Sequence, residues 1–527
     1  MSTQGYFGYR YKRIYYRKYL SCGAYPSGFG QRFANTIPRD PSGPAFLNWF
    51  ADRLMMLEKA KHTYDLNICP DGGVDEIDPG YELCDNADWT LGDQDIEWTY
   101  VIDLDNKVFT INGITHLRFD NMPPSDPGLE YYYKDDGTAA FPSQCVSSTV
   151  DLWPVPRFHI EERQEAYDAL DATIVSGSQW GAMTWDKLPV SRRLSVERAN
   201  YLLRSTACEV SLAYASRYQR RIGRFCWNLL CAATPAVPLL HYDAKPNDKI
   251  VASRLRGIVP RTMVEKTGTQ IFKSFEASRH GDYCWVRGCL VTFCVRLGEQ
   301  AYVVHEIEQM VRKMHHDGRA ECVGIILSSQ QEMIAVAVED GLEPTRRVRH
   351  TPVLDIRPNA DKPGEASDGL LLLVHLLSPL LTVPELPWRT PRSRIWSRST
   401  LPAEVLQHII HYADTRTYLS LCRVSRLVRF VSLANPRVGE YTLLRGIPAY
   451  GDNLAFAARY PGDENPRKIV LHWHRFRVAD FLFPGRWPLG HWCVYEILGS
   501  GKIVHVKSRK EREASSSNSD LDVQELA

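Results

Sequence analysis

Residues 305–309 read HEIEQ. A helix that binds zinc for hydrolysis carries two histidines four residues apart, with glutamate beside the first as general base. Gln309 stands where the second histidine is required, so the stretch is expected to be ordinary helix. In GSQWG, residues 177–181, Ser178 directly follows Gly177. The strained turn that exposes a nucleophilic serine places one residue between the two. CGAYPSGFGQRF, residues 22–33, is glycine-rich but lacks the GK[ST] ending that seats a phosphate. His315 and His316 are adjacent and therefore project from different sides of a helix.

Metal chemistry gets no stronger support. Thirteen cysteines are present, with no CxxC pair. Cys284, Cys289 and Cys294 lie five apart in an apolar, strand-like run, wider than usual zinc-ligand spacing. They are expected to be buried structural thiols. Residues 71–97 hold ten acids and no Lys or Arg. The calcium-loop spacing D-x-[DN]-x-[DN]-G is missing, so an exposed acidic loop is expected. No metal and no cofactor is expected. The start of the chain interleaves Tyr9, Tyr11, Tyr15 and Tyr16 with Arg10, Lys12, Arg13 and Arg17. Stacking rings beside cations suit single-stranded nucleic acid. A hairpin with one buried aromatic face and one solvated charged face has the same pattern and is preferred.

The elements that would position any site come next. The chain has 527 residues, 44% apolar and 24% charged, with a net charge of +1. That length suits several domains, and the charge exerts no general pull on nucleic acid or acidic membrane. The apolar runs at 225–240 and 370–377 are too short to span a bilayer and are interrupted by polar residues or proline, so both read as core. The start lacks the apolar segment of a secretion signal, and the odd cysteine count suits free thiols. A cytoplasmic or nuclear location is expected.

An N-terminal α+β unit is expected over 5–143, with a hairpin turning at Lys12-Arg13, a helix over 44–61 and a second hairpin around Asp105-Asn106. A central unit over 144–384 should be helical from 160 to 230, then α/β. Within it, strands are expected at 288–295, 324–327 and 333–338, with a further one at 353–356. An amphipathic helix should turn Val303, Val304, Ile307, Met310, Val311 and Met314 inward. Residues 385–400 form an arginine-rich linker, 401–436 a helical module, 437–505 a small extension and 506–527 a disordered tail. The fold class is thus multidomain α+β.

The module carries the functional reading. In LPAEVLQHIIHYAD, residues 401–414, Pro402 suits a helix start and Glu404 the positive end of its dipole. Leu406, Ile409, Ile410 and Ala413 fall on one face. Leu421, Val424, Val428 and Val431 repeat the spacing. So short a segment cannot bury that surface alone and needs a partner, inside the chain or outside it.

LPAEVLQHIIHYADTRTYLSLCRVSRLVRFV resembles the F-box. The matching residues are Leu401, Pro402, Glu404, Val405, Leu406, Ile409, Tyr412, Asp414, Leu419, Val424, Ser425 and Arg426. Val428 stands where the family usually has Trp, and Ala413 where it has Leu. The resemblance implies a three-helix module that docks on the Skp-type adaptor of a cullin-RING ubiquitin ligase, the remainder of the chain selecting a substrate protein. Leu401, Pro402, Glu404, Val405, Leu406, Ile409, Leu419, Val424 and Val428 would then meet the partner, and no catalysis is implied. The alternative is an enzyme within 1–384, with the helical pair as structural core over 437–505. The N-terminal GYFGYRYKRIYYRKY and WTYVIDLDNKVFTING look like segments of uncharacterised filamentous-fungal proteins.

Overall fold

The computed structural model describes residues 3–65, 81–133, 139–156, 158–205, 212–215, 283–286, 288–318, 321–339, 347–357, 365–378, 386–388, 491–497 and 503–505. It also describes parts of 226–234, 401–438 and 441–474, with short interruptions. The described residues form a mixed α+β protein with eight helices and three sheets. The chain divides into two compact units, one of Met1–Arg157 with Leu212–Gln219, the other of Phe158–Ser211 with Arg220–Ala527.

In the first unit six strands form one sheet: β1 (Gly5–Tyr11), β2 (Ile14–Leu20), β3 (Glu82–Cys84), β4 (Trp98–Asp103), β5 (Val108–Ile111) and β6 (Thr115–Arg118). Their order is β3-β2-β1-β4-β5-β6. β1 runs parallel to β4, and the other pairs are antiparallel. Lys12 and Arg13 take positive φ in the two-residue turn, the geometry that matches strand twist. Period-two alternation sends Tyr9, Tyr16, Tyr100, Ile102 and Phe109 to a face that also holds Phe46 and Leu57 of α2 (Pro44–Asp65). Tyr15 and Val101 go to the other face, against Trp89, Leu152 and Tyr214.

Several expectations change here. The hairpin's second face is not wholly solvated, because Trp89 and Leu152 pack with Tyr15 there, while Tyr19 farther along β2 stays 47% exposed. The 71–97 stretch is not wholly an exposed loop: Glu82–Cys84 pairs with β2, and Trp89 is buried. Residues 71–80 lie outside the described residues. The unit also runs past 143, because Leu152 joins its core. A short helix, α1 (Gln31–Ala34), follows Gly30. A Cβ on Gly30 would stand 2.6 Å from the Tyr100 ring, so only glycine fits there.

The second unit has two sheets. One contains β7 (Thr173–Ile174), β8 (Cys284–Val286), β9 (Cys289–Cys294), β10 (Cys322–Ser328), β11 (Glu332–Glu339), β12 (Arg347–His350) and β13 (Leu354–Asp355). Its order is β7-β12-β11-β10-β9-β8, with β13 on β11. Two further helices precede its main strands, α3 (Ile160–Asp168) and α4 (Val190–Ser205). Helix α5 (Gln300–His316) connects parallel β9 and β10, and the six residues expected to face inward are all buried. Gly324 lets it approach, since a Cβ there would lie 2.5 Å from Met314 Cε. The side chains of Cys289 and Cys294 are buried thiols. Helix α6 (Asp368–Leu376) is buried along almost its whole length, and Ser367 caps its start.

The expected helix from 160 to 230 is interrupted. Between α3 and α4 the chain makes strand β7 and short turns, with Gly181 at φ +83. Residues 206–211 and 216–225 lie outside the described ones. Leu386 and Trp388, at the head of the expected linker, are packed: Trp388 Nε1 donates to Glu339 and its ring meets Trp180 edge-on. Residues 389–400, 506–527 and most of 357–367 lie outside the described residues.

The third sheet is an antiparallel meander of β14 (Arg437–Val438), β15 (Tyr441–Tyr450), β16 (Asn453–Arg459), β17 (Arg467–His474), β18 (His491–Ile497) and β19 (Ile503–His505). Leu194 of α4 packs among Tyr441, Leu443, Phe456 and Ile469. The 437–505 segment is therefore no loose extension, because its apolar face is closed by a helix some 240 residues earlier in the chain. The remaining helices are α7 (Ala403–Tyr412) and α8 (Thr415–Leu421), with Leu427, Val428, Val431 and Ser432 also helical.

Candidate docking site

Helix α7 starts one residue after Pro402, which is extended at ψ 152 and accepts the Leu406 N–H at 3.1 Å. Glu404 lies exposed in its first turn, where the dipole favours an acid. The helix presents two apolar stripes. Leu406 and Ile410, only 6% and 1% exposed, form a small core with Tyr418 of α8 and with Val431. Ala413, Leu421, Leu427 and Val428 pack around it. Tyr418 Oη donates to the Ser432 carbonyl at 3.0 Å and ties the last helical turn to α8.

The second stripe stays outside. Leu401 is 43% exposed, Val405 41%, Ile409 43% and Tyr412 65%. The spacing of four and three residues places Val405, Ile409 and Tyr412 along one side of the helix, and Leu401 lies just ahead of its start. Val424, in the turn after α8, is 68% exposed. A row of large aliphatic and aromatic groups left in water is the kind of surface that a partner covers.

The stripe's base is held by a strand residue. Arg437 of β14 is buried, and its guanidinium donates to the carbonyls of Ala413 and, at 2.7 Å, of His411. It lies 5.5 Å over the Tyr418 ring, and Nε donates to Thr442 Oγ1 at 3.3 Å. A cation at the carbonyl end of α7 complements the helix dipole. His411 contacts the same Thr442 hydroxyl through Nδ1. Burial first, then the charges of Arg459 and Arg437, holds its imidazole below the ordinary range.

Among the residues expected to meet a partner, Leu401, Pro402, Glu404, Val405, Ile409 and Val424 are exposed. Leu406 is not: it is enclosed in the module's own core and has no surface to offer. Val428 is half-buried against that core, so its place is in packing as well. Ile409 stands at the flank of the enclosed stripe: at 100° per residue it lies about 60° from Leu406 and about 100° from Ile410, and it stays exposed. Leu419 falls on α8, and its side chain lies outside the described ones, as do Asp414 and Arg426. Tyr412 belongs with the exposed row although spacing from Leu406 did not single it out. Arg437 was beyond periodicity altogether, since it reaches the helix from 24 and 26 residues away.

The other candidate chemistries resolve into packing. His305 stacks on Phe158, centroids 4.2 Å apart, and burial with Arg163 and Arg312 nearby pulls its imidazole down to about 4. A polar cleft of about 380 Å³ lies between the Lys12–Arg13 and Asp105–Asn106 turns. Its charged groups pair with one another. Buried Arg10 meets Asp103 at 3.2 Å and Asp105 at 3.4 Å, Arg13 meets Asp151 at 3.2 Å, and Lys12 reaches Glu58. Asp105 also accepts the Lys12 and Arg13 amides at 2.7 and 2.8 Å. These cations staple two turns; Tyr9, Tyr15 and Tyr16 are buried, and Tyr11 is half-buried with the Lys12 ammonium over its ring. Among the described residues no three His, Cys, Asp or Glu converge as a metal site, and no helix is long and apolar enough to cross a membrane. Comparison of the chain with protein-family models, with curated proteins and with solved structures finds no match.

Proposed function

We propose that the chain is an F-box-type adaptor, recruiting a substrate protein to a cullin-RING ubiquitin ligase through a Skp-type subunit. The observation that carries this reading is the outward row Leu401, Val405, Ile409 and Tyr412, which stays open while Leu406 and Ile410 close the module from within. It is supported by the Leu-Pro start, the exposed Glu404 and the resemblance of 401–431 to the F-box.

A specific interface buries about 1,200–2,000 Å² in total. One two-to-three-turn helix face provides only part of that, so exposed Val424 and the turn around it would complete the contact. The remainder of the chain would present the substrate, with no catalysis of its own, in the cytoplasm or nucleus. The test is recovery of the full chain on an immobilised Skp-type adaptor, comparing wild type with Leu401→Ala/Pro402→Ala. Both residues are exposed, so the double variant should fold and lose most of the bound fraction. Equal recovery of the two proteins would refute the assignment.

A further inference from the structure

Away from the docking helix, the second unit gathers polar atoms that have no partner. Arg192 lies in the first turn of α4, His375 in the last turn of α6, and Ser378 just beyond it. Arg192 Nη2 donates to Ser378 Oγ at 3.0 Å. Arg192 Nη1 and both ring nitrogens of His375 are buried without any hydrogen-bond partner. Buried polar groups in folded proteins are nearly always satisfied, and three orphans in one place call for an explanation.

The charge is also uncompensated. The first turn of α4 contains no acid, and the helix's own positive end adds to the arginine. Burial lowers the Arg192 guanidinium from its ordinary range, and among the described residues no carboxylate opposes that. The fully buried arginines behave differently. Arg10 has Asp103, Arg198 donates to the carbonyls of Ala232 and Thr234, and Arg437 caps α7. A half-buried cation with no counter-charge among the described residues is disfavoured unless something else provides one. His375 is held neutral, its pKa pulled down to about 4 by burial first and by the charge of Arg192 second.

We infer that Arg192, His375 and Ser378 form a binding site for a small oxyanion, the carboxylate or phosphate group of a ligand. The donors suit that chemistry. Nη1 has two hydrogens to give, one imidazole nitrogen carries a proton, and Ser378 can donate its own hydrogen because its oxygen already accepts from Nη2. The amide end of α4 contributes in the same sense. Gly181 lies alongside, with a Cβ placed there only 3.8 Å from His375 Nε2, so a side chain at this position would crowd the imidazole. Arg192 and His375 are each half-buried as residues, while the three unpartnered nitrogens are turned inward, away from solvent.

The test uses the full chain and the imidazole as reporter. Histidine ring signals are followed by NMR, with His375 assigned by its absence in His375→Gln, while inorganic phosphate or acetate is added. A bound anion favours the imidazolium, so the His375 pKa should rise from about 4 by about one unit or more. Arg192→Gln should weaken the response at least about tenfold, and Ser378→Ala should weaken it less; the latter stands in if the arginine variant does not fold. A response to phosphate alone, or to acetate alone, supports the site and narrows its ligand class. The inference is overturned if neither probe moves the His375 signals up to about 20 mM, the weak limit of a specific site. An undiminished response in Arg192→Gln overturns it too, as an adventitious ion only. No residue of α7 takes part, so this outcome is independent of the adaptor reading.

Discussion

Two neighbouring isoleucines on α7 should respond in opposite ways to the same substitution. Ile410 is 1% exposed and enclosed by Leu406, Tyr418 and Val431. Its replacement by alanine removes buried methyl groups and leaves a void, a change worth about 2–5 kcal/mol in well-packed cores. The cluster around it is small and partly open, which favours the lower end, about 2–3 kcal/mol. Ile409 is 43% exposed, so Ile409→Ala discards surface already half in water and should alter stability by less than about 1 kcal/mol. At an interface the ranking reverses. A partner that desolvates Ile409 loses about 1–2 kcal/mol when it is truncated, roughly five- to thirty-fold in affinity. A chain with several cores does not unfold in one step, so the stability readout must be local. Native-state hydrogen exchange of the α7 amides supplies it: Ile410→Ala should accelerate exchange by about 30- to 150-fold, Ile409→Ala by less than about fivefold. Calorimetry against the Skp-type adaptor supplies the affinity. If Ile409→Ala loosens α7 as much as Ile410→Ala does and leaves adaptor binding unchanged, the division of the helix into an inner and an outer stripe is wrong.

Arg437→Met should keep the aliphatic packing over Tyr418 but lose the two donors to the His411 and Ala413 carbonyls. At about 1.5–3 kcal/mol for a charge-assisted bond, the last turn of α7 should exchange at least about tenfold faster; unchanged protection of those amides would contradict the capping role. The buried histidines set a pH dependence. Burial pulls both His116 and His305 down to about 4, so the folded chain holds these rings neutral while the unfolded chain protonates them near the ordinary histidine value. Stability should therefore fall as pH drops from about 6.5 toward 4, with no further loss from these groups below that. Thermal melting across this window measures it, and His116→Gln/His305→Gln should flatten the slope. A slope as steep in the double variant as in the wild type would exclude these rings as its source.

Much of the architecture follows from local pattern. The run of Val303, Val304, Ile307, Met310, Val311 and Met314 keeps a 3.6-residue period over about three turns, and no competing period fits it, so α5 and its buried side were legible from the residues alone. The Lys12-Arg13 turn was legible for a similar reason: two alternating runs meet there with nothing else to break them. What failed were statements about which surface is wet. Alternation in β1 and β2 separates two faces but says nothing of whether Trp89 and Leu152, some 70 to 140 residues later, return to cover the second one. The acidic stretch read as loop because strand β3 has only three residues, too short to show a period, and exists through its pairing with β2.

The docking helix divides along the same line. Its existence, its start at Pro402 and the apolar character of residues 401–412 are written in the chain, because helix propensity and spacing act over one or two turns. Which of its two apolar stripes faces inward is not. Leu406 and Ile410 are inside only because α8 and the segment around Val431 fold back on that side, and no described residue covers Val405 and Ile409 in the same way. Arg437 reaches α7, and Leu194 closes the third sheet, through separations that no window of sequence spans. Burial is a property of what arrives from elsewhere in the chain. Local residue order decided where α7 begins and how its side chains are arranged, and tertiary contact alone decided which of them remain available to another protein.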